Sequence, residues 1–197
     1  MSDPEPANPD APGPSAAGVP DLVRRFVEHG GVMARAWGIN ATMGELFALL
    51  YISGVDWTAD DLKERLRISR GNVSMNLREL IGWGVVHKIH RQGARREFYR
   101  AEADVWTLFR SILAERKKRE LDPTRALLDR TAREIRDDPA LAPARDRVVA
   151  LQQFFALIDT LAGRLASLEP EDFEDLRNLL EATDPGPGGS GIFPEKP

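Results

Sequence analysis

The side chains best suited to chemistry are concentrated between Ser69 and Arg78, where arginine, asparagine and serine recur and no acidic residue occurs. Hydroxyl, amide and guanidinium groups bind phosphate oxygens, and asparagine and arginine also pair with base edges. A helical projection at about 100° per residue separates these groups from an apolar stripe at Val73 and Leu77. The segment therefore predicts a helix that enters the major groove of DNA, the alternative being a polar helix exposed to solvent. The candidate contact residues are Ser69, Arg70, Gly71, Asn72, Ser74, Met75, Asn76 and Arg78.

A second group of cations surrounds Gly93. Arg91, Arg95 and Arg96 lie between two β-prone runs, residues 85–90 and residues 97–100, and the glycine marks the turn between them. The pattern predicts an antiparallel hairpin with a basic tip. Such a wing inserts arginine into a narrow minor groove or lies along the phosphates. The alternative is a hairpin tip that is merely solvated.

Both groups belong to one basic block in an otherwise acidic chain. Residues 58–100 contain ten lysine and arginine residues against five aspartate and glutamate residues, whereas the whole chain has a net charge of −4. A basic block between acidic segments is an electrostatic footprint expected for a phosphate backbone. A charged, solvated surface would have the same composition.

Several other classes of site are excluded or disfavoured by composition. The chain has no cysteine, which rules out disulfides, thiolate metal ligands and cysteine nucleophiles. Among the three histidines, only His87 and His90 have ligand spacing, and on a strand they point to opposite faces. His29 has no such partner, and no phosphate loop, serine elbow or dinucleotide fingerprint occurs. We therefore expect no cofactor, no metal and no enzymatic activity. The amino terminus lacks a signal peptide, and the apolar run 148–158 is too short to span a bilayer, so a cytoplasmic protein without a membrane partner is expected.

The elements that must position these residues follow from apolar spacing and capping signals. Thr42 with Glu45 predicts a capping box, and Thr58 and Ser69 predict two further helix starts. The predicted helices cover residues 21–37, 42–54, 58–66 and 69–84. A short helix, a tight turn, a longer polar-faced helix and a hairpin follow one another in the order of a winged helix-turn-helix.

The predicted fold class is mainly α, a winged helix-turn-helix with a two-stranded β-hairpin wing and a helical dimerisation region. The predicted division is a disordered tail at 1–20, a DNA-binding domain at 21–102, a helical dimerisation region at 103–183 and a disordered tail at 184–197. In that region, an apolar seam at three-and-four spacing offers a dimer interface or an intramolecular core. Its residues are Val148, Leu151, Phe155, Ile158, Ala162 and Leu165.

The run Ile68–Leu80, ISRGNVSMNLREL, followed by WGVV at residues 83–86, resembles the recognition-helix signature of the GbsR-type branch of the MarR superfamily of bacterial transcriptional regulators. The resemblance covers residues 21–120. It implies a dimeric winged-helix repressor or activator that binds a pseudo-palindromic operator in double-stranded DNA. It also implies a recognition-helix role for Ser69–Arg78 and a wing role for Arg91–Arg96. Some members of this branch respond to choline or glycine betaine metabolism.

Four aromatic residues suggest an effector site. Trp37, Tyr51, Trp83 and Trp106 fall on elements that meet near the junction of the DNA-binding and dimerisation parts in this architecture. A cage of such rings binds a quaternary ammonium compound by cation–π attraction. Core packing is the alternative explanation of these rings.

These patterns lead to one main hypothesis and a rival of another class. We expect a homodimeric, sequence-specific, DNA-binding transcriptional regulator. The rival is a winged-helix interaction module whose basic face binds an acidic protein partner. An enzyme built from scattered residues is a third alternative. The salt dependence and sequence preference of DNA binding separate the first two.

Overall fold

The computed structural model describes residues 21–169, together with residues 172, 175 and 178. The predicted tails at 1–20 and 184–197 lie outside the described residues, as does most of 170–183. The chain divides into two units between Glu115 and Arg116, and each unit is described separately. The dimerisation region at 103–183 remains a prediction.

The first unit is a winged helix, which confirms the predicted fold class. Its helices and strands form in the predicted order, and only the last residue of α5 falls in the second unit. The elements are α1 (Asp21–Ala36), α2 (Ala41–Ser53), β1 (Trp57–Thr58), α3 (Ala59–Leu66), α4 (Arg70–Gly82), β2 (Val86–Ile89), β3 (Phe98–Ala101) and α5 (Val105–Arg116).

Side-chain caps fix the helix starts of the helix-turn-helix. The Thr58 hydroxyl accepts a hydrogen bond from the Asp61 backbone N–H, and the Asp61 carboxylate accepts one from the Thr58 N–H, at 3.2 Å each. The Ser69 hydroxyl accepts from the Asn72 N–H. Both predicted starts are thus confirmed. The capping box at Thr42 is wrong, because Asn40 caps α2 by accepting from the Thr42 N–H at 2.8 Å.

The sheet has one more strand than the sequence predicted. Its order is β1-β3-β2, and all pairs are antiparallel. Trp57 pairs with Tyr99 in the β1–β3 register, and Lys88 pairs with Tyr99 in the β2–β3 register. Because β1 has two residues, both buried, it shows no alternation that a sequence pattern could detect.

The packing of α1 against α2 depends on two glycines. A Cβ atom at Gly44 would lie 2.4 Å from the carbonyl oxygen of Gly30 and 2.5 Å from the Cβ atom of Ala34. A Cβ atom at Gly30 would lie 2.6 Å from that of Ala48. The two helices therefore approach more closely than alanine would allow. The core of this unit includes residues of α2 itself, and its most deeply buried apolar members are Met43, Leu46, Leu49, Leu50, Leu62, Val73, Val86 and Phe98.

The second unit is helical within its described residues. A π-helical segment (Lys117–Leu121) leads into α6 (Asp122–Glu134), and a 3₁₀ turn (Pro139–Leu141) precedes α7 (Ala142–Ser167). Arg125 pairs with Asp159, and the Gln152 amide donates to Asp129 at 2.7 Å, so α6 and α7 run antiparallel.

The predicted apolar seam on α7 is divided between two faces. Phe155 and Ile158 are half-buried and Ala162 is buried, on the side that carries the Asp159 pair with α6. Another row of large apolar side chains is exposed, including Phe154 at 55% and Leu157 at 56%. We call this the α7 apolar row; its members are Leu151, Phe154, Leu157, Leu161 and Leu165.

By length and composition, the helical stretch Pro139–Ser167 meets the criteria for a helix that could cross a membrane. The charge-free run 148–158, on which the prediction of no membrane span rests, is only part of this stretch. A single such helix is weak evidence for a membrane span. Asp159, in its second half, is paired with Lys117 at 3.0 Å and with Arg125.

Candidate nucleic-acid interface

The polar face of α4 is presented to solvent while its apolar face is buried. Val73, Leu77 and Leu80 lie in the core. Of the predicted contact residues, the cap residue Ser69 and five residues of the opposite face are exposed, and Asn72 is half-buried. The exposed members of that face are Arg70, Gly71, Ser74, Met75 and Arg78.

Asn76 does not fit the predicted role. It is 1% exposed, and its side-chain nitrogen donates to the backbone carbonyl of Asn72 at 2.8 Å and to the Asn72 side-chain oxygen at 2.5 Å. An amide enclosed in this way is not available to a base edge. Asn76 instead satisfies its own hydrogen bonds within the helix and orients the Asn72 side chain.

The wing is the hairpin formed by β2 and β3. Gly93 has a φ of 80°, a left-handed conformation that glycine adopts without steric cost. The Ala94 N–H closes the turn by donating to the Arg91 carbonyl at 3.1 Å. Arg95 and Arg96 are exposed beyond this turn.

Arg91 lies at the base of the wing rather than at a free tip. Its guanidinium donates to the Asp56 carboxylate at 3.0 Å and lies 4.0 Å from the centre of the Phe98 ring. Arg100 donates to the other oxygen of Asp56 at 2.5 Å. The predicted grouping of Arg91 with the tip arginines is therefore corrected, because Asp56, which Arg100 shares, holds its guanidinium at the base of the wing. A DNA contact by Arg91 remains a prediction.

Asp56 anchors the wing to the segment that precedes α3. Its side chain is 4% exposed. Burial raises the pKa of Asp56, but hydrogen bonds from Arg100 and Arg91 outweigh burial and hold the pKa below its ordinary value. The carboxylate is therefore ionised at neutral pH and holds the hairpin through Arg91, which follows β2, and Arg100 of β3.

A polar cleft of about 550 Å³ lies between α4 and the wing. Five cations line it, four of them predicted DNA contacts on α4 or at the wing tip, and Ser74 lies between the α4 cations. We call this the cationic cleft; its cations are Arg70, Arg78, Lys88, Arg95 and Arg96.

Two carboxylates also line the cationic cleft. Arg70 pairs with Asp60 at 3.3 Å, and Lys88 pairs with Glu97 at 3.0 Å. Tyr99 donates its hydroxyl to Glu97 at 2.8 Å. Hydrogen bonds from Lys88 and Tyr99 lower the pKa of Glu97, while burial and the Glu97 carboxylate raise the pKa of Tyr99 to about 12.

Sequence analysis missed Lys88, Glu97 and Tyr99 as residues of the cleft. The register of the hairpin is the signal that would have found them, because it places Lys88 opposite Tyr99. Asp60 enters the sequence analysis only as one of the five acidic residues of the basic block.

The predicted aromatic residues are only partly brought together. Trp37, Tyr51 and Trp83 line one apolar cavity of about 260 Å³ with Phe47. Trp106 is not among the residues that line it, and instead packs edge-on against Phe109 with ring centres 6.5 Å apart. None of the described lining residues carries a carboxylate. The predicted four-ring cage is therefore corrected, because only three of its rings line the cavity, together with Phe26 and Phe47.

Metal ligation has no support among the residues that the structure describes, since no group of three histidine, aspartate or glutamate side chains there could hold an ion. The chemistry available at the cationic cleft is hydrogen bonding and charge neutralisation.

Comparison with known proteins relates the chain to helix-turn-helix transcriptional regulators. No family model matches it. The HTH-type transcriptional repressor OpcR of Bacillus subtilis strain 168 is 25% identical over 116 residues, which cover 59% of this chain and 60% of OpcR. From the same organism, the putative HTH-type transcriptional regulator YvaV is 21% identical over 75% of this chain and 87% of its own length. The HTH-type transcriptional repressor GbsR is 27% identical over 43% of this chain and 47% of its own length.

The chain therefore spans less than two thirds of OpcR and of GbsR. Among solved structures, a chain described as a transcriptional regulator superposes with a TM-score of 0.58 at 21% identity. The superposition covers 74% of this chain and 95% of the other. This likeness shows a shared fold.

Proposed function

We propose that this protein is a cytoplasmic, sequence-specific DNA-binding transcriptional regulator of the GbsR-type branch. The observation that carries the proposal is the cationic cleft, which is lined by five cations from the exposed face of a capped helix and from the hairpin. The names of the related proteins support regulation of transcription.

In this proposal α4 enters the major groove and the wing follows the adjacent backbone. Arg78 and Asn72 have the side chains that pair with base edges, whereas Ser69 and Ser74 bind phosphates. Arg95 and Arg96 extend from the wing toward the phosphates or the minor groove. Repression of the target gene would follow from occupation of its operator.

We also propose that the protein acts as a homodimer on a pseudo-palindromic operator. One winged helix covers a single half-site, and two recognition helices must lie about one helical turn of DNA apart. The α7 apolar row supports a second copy as the partner, because a row of large apolar side chains along one exposed helix face is typical of an interaction surface.

Replacing Arg78 with alanine should cost roughly 1–3 kcal/mol of binding free energy at the operator if Arg78 contacts a base, with a smaller loss on random duplex. The operator is first obtained by selection from a random duplex library. Dissociation constants are then measured by fluorescence anisotropy for the selected and the random duplex. Sedimentation of the same sample should give the mass of a dimer.

Arg35→Ala is the matched control, because Arg35 is an exposed arginine of α1 outside the cleft. Equal losses on both duplexes would make Arg78 a backbone contact. Failure of the wild-type protein to bind any duplex, with retained binding to an acidic protein, would replace the proposal with the interaction module.

A second candidate function is effector binding in the apolar cavity. The rings of Trp37, Tyr51 and Trp83 on its wall are suited to bind a small molecule with an apolar or cationic face. If a quaternary ammonium compound is the effector, choline should quench tryptophan fluorescence and change operator affinity about 5- to 150-fold. Indole serves as the uncharged probe of the same cavity. An effector is contradicted if calorimetry detects uptake of neither compound at millimolar concentration.

A further inference from the structure

We infer that Glu97 is a specificity-determining residue, whose carboxylate lowers the affinity of the cationic cleft for DNA backbone of any sequence. The inference rests on the proposed function. In this inference, one negative charge in an interface otherwise suited to phosphate weakens binding to non-operator DNA.

The position of Glu97 is fixed by the wing itself. Lys88 donates to one carboxylate oxygen at 3.0 Å, and Tyr99 donates to the other at 2.8 Å. Tyr99 is 7% exposed, so it holds the carboxylate from the core side, while the Glu97 side chain stays 54% exposed. The negative charge is therefore held at the wall of the cleft instead of moving freely in solvent.

This arrangement affects phosphate binding in two ways. An ionised carboxylate repels a phosphate that enters the cleft. It also pairs with Lys88, which would otherwise be available to neutralise a phosphate. Both effects apply to every duplex, because every duplex presents the same backbone.

Operator DNA can offset the penalty where other duplexes cannot. An ionised carboxylate only accepts hydrogen bonds, so it matches an exocyclic amine on a base edge and no phosphate oxygen. A duplex that presents such an amine to the cleft regains a contact that a random duplex lacks. Specificity then arises from a repulsive element as well as an attractive one.

The test is Glu97→Gln, which removes the charge and keeps the shape and an acceptor for Tyr99. Anisotropy titrations against random duplex are made at salt concentrations from about 50 to 200 mM. The fall of affinity with salt over this range reports the number of phosphate contacts. The affinity for random duplex should rise up to about tenfold, and the salt slope should steepen by about one unit, the value of one added phosphate contact. The affinity for the selected operator should rise less. The ratio of operator affinity to random-duplex affinity should therefore fall.

Three further variants make the result decisive. Glu64→Gln removes the same charge from an exposed position on α3 outside the cleft and should leave the ratio unchanged. Adding Lys88→Gln to Glu97→Gln should cancel most of the gain in affinity for random duplex. Glu97→Asp retains the charge and should retain the wild-type ratio, which keeps the inference testable if the glutamine variant folds poorly by circular dichroism.

The possible failures are distinguishable. If Glu97→Gln behaves like Glu64→Gln, or weakens binding to both duplexes, the inference is wrong and the proposed function stands. If Glu97→Asp matches Glu97→Gln, charge is not the cause and the inference is also wrong. If the wild-type protein binds no duplex, both the inference and the proposed function are overturned.

Discussion

Replacing Gly44 with alanine should lower the free energy of unfolding of the first unit by about 1–3 kcal/mol, the usual cost of overpacking. The new Cβ atom would lie 2.4 Å from the Gly30 carbonyl oxygen and 2.5 Å from the Ala34 Cβ atom. Both neighbours are fixed to a helix backbone, so neither can move without shifting α1. The better helix propensity of alanine, about 1 kcal/mol, offsets only part of the clash.

Urea unfolding followed by circular dichroism measures this loss, and Gly71→Ala is the matched control. Gly71 is also a helical glycine, but no heavy atom lies within 4 Å of its Cβ position. The free energy of unfolding of the control should therefore rise by roughly 0.5–1 kcal/mol from helix propensity alone. A Gly44 variant as stable as the Gly71 variant would contradict the close approach of α1 and α2.

Replacing Asp56 with asparagine should lower the free energy of unfolding by about 2–3 kcal/mol and weaken DNA binding through the wing. The variant leaves two arginines without their shared buried carboxylate. The loss stays below the 3–5 kcal/mol typical of a fully buried pair, because the side chains of Arg91 and Arg100 are 37% and 52% exposed and regain water.

The same variant should also change the acid sensitivity of the fold. Since the pKa of Asp56 is lower in the folded protein than in the unfolded chain, its contribution is fully present above the unfolded pKa of about 3.9. That contribution is lost as the pH falls through the lower folded value. Wild-type protein should therefore lose stability below about pH 4 more steeply than Asp56→Asn.

Unfolding curves at pH 7 and in acid are compared for the wild type, Asp56→Asn and Asp60→Asn. The last variant breaks an exposed pair with Arg70 and should cost no more than about 1 kcal/mol. If Asp56→Asn costs no more than Asp60→Asn, Asp56 does not anchor the wing.

The local parts of the fold could be predicted from sequence. Thr58 and Ser69 cap their helices because a capping hydroxyl needs a partner only two or three residues away. Gly93 marks the turn of the wing for an equally local reason. The order of helices and hairpin followed from these signals.

The parts that failed depend on contacts between distant residues. Arg91 pairs with Asp56, which lies 35 positions earlier, and no local sequence pattern indicates that pair. Asn76 is polar and falls beside the predicted contact face, yet packing against the core encloses it. On α7, sequence spacing alone could not determine which apolar row packs and which stays exposed, because both rows have helical periodicity.

The pairing of β1 with β3 also has a consequence for the order of folding. Strand β1 and the Asp56 contacts close a loop that contains α3, α4 and β2, with partners 35 and 44 residues apart. Helices with local contacts form before pairings that must first overcome the entropy of closing so long a loop. Helix α4 therefore gains its structure early, whereas the cleft is completed only when the hairpin joins β1. Hydrogen exchange should accordingly report weaker protection in the wing than in α4.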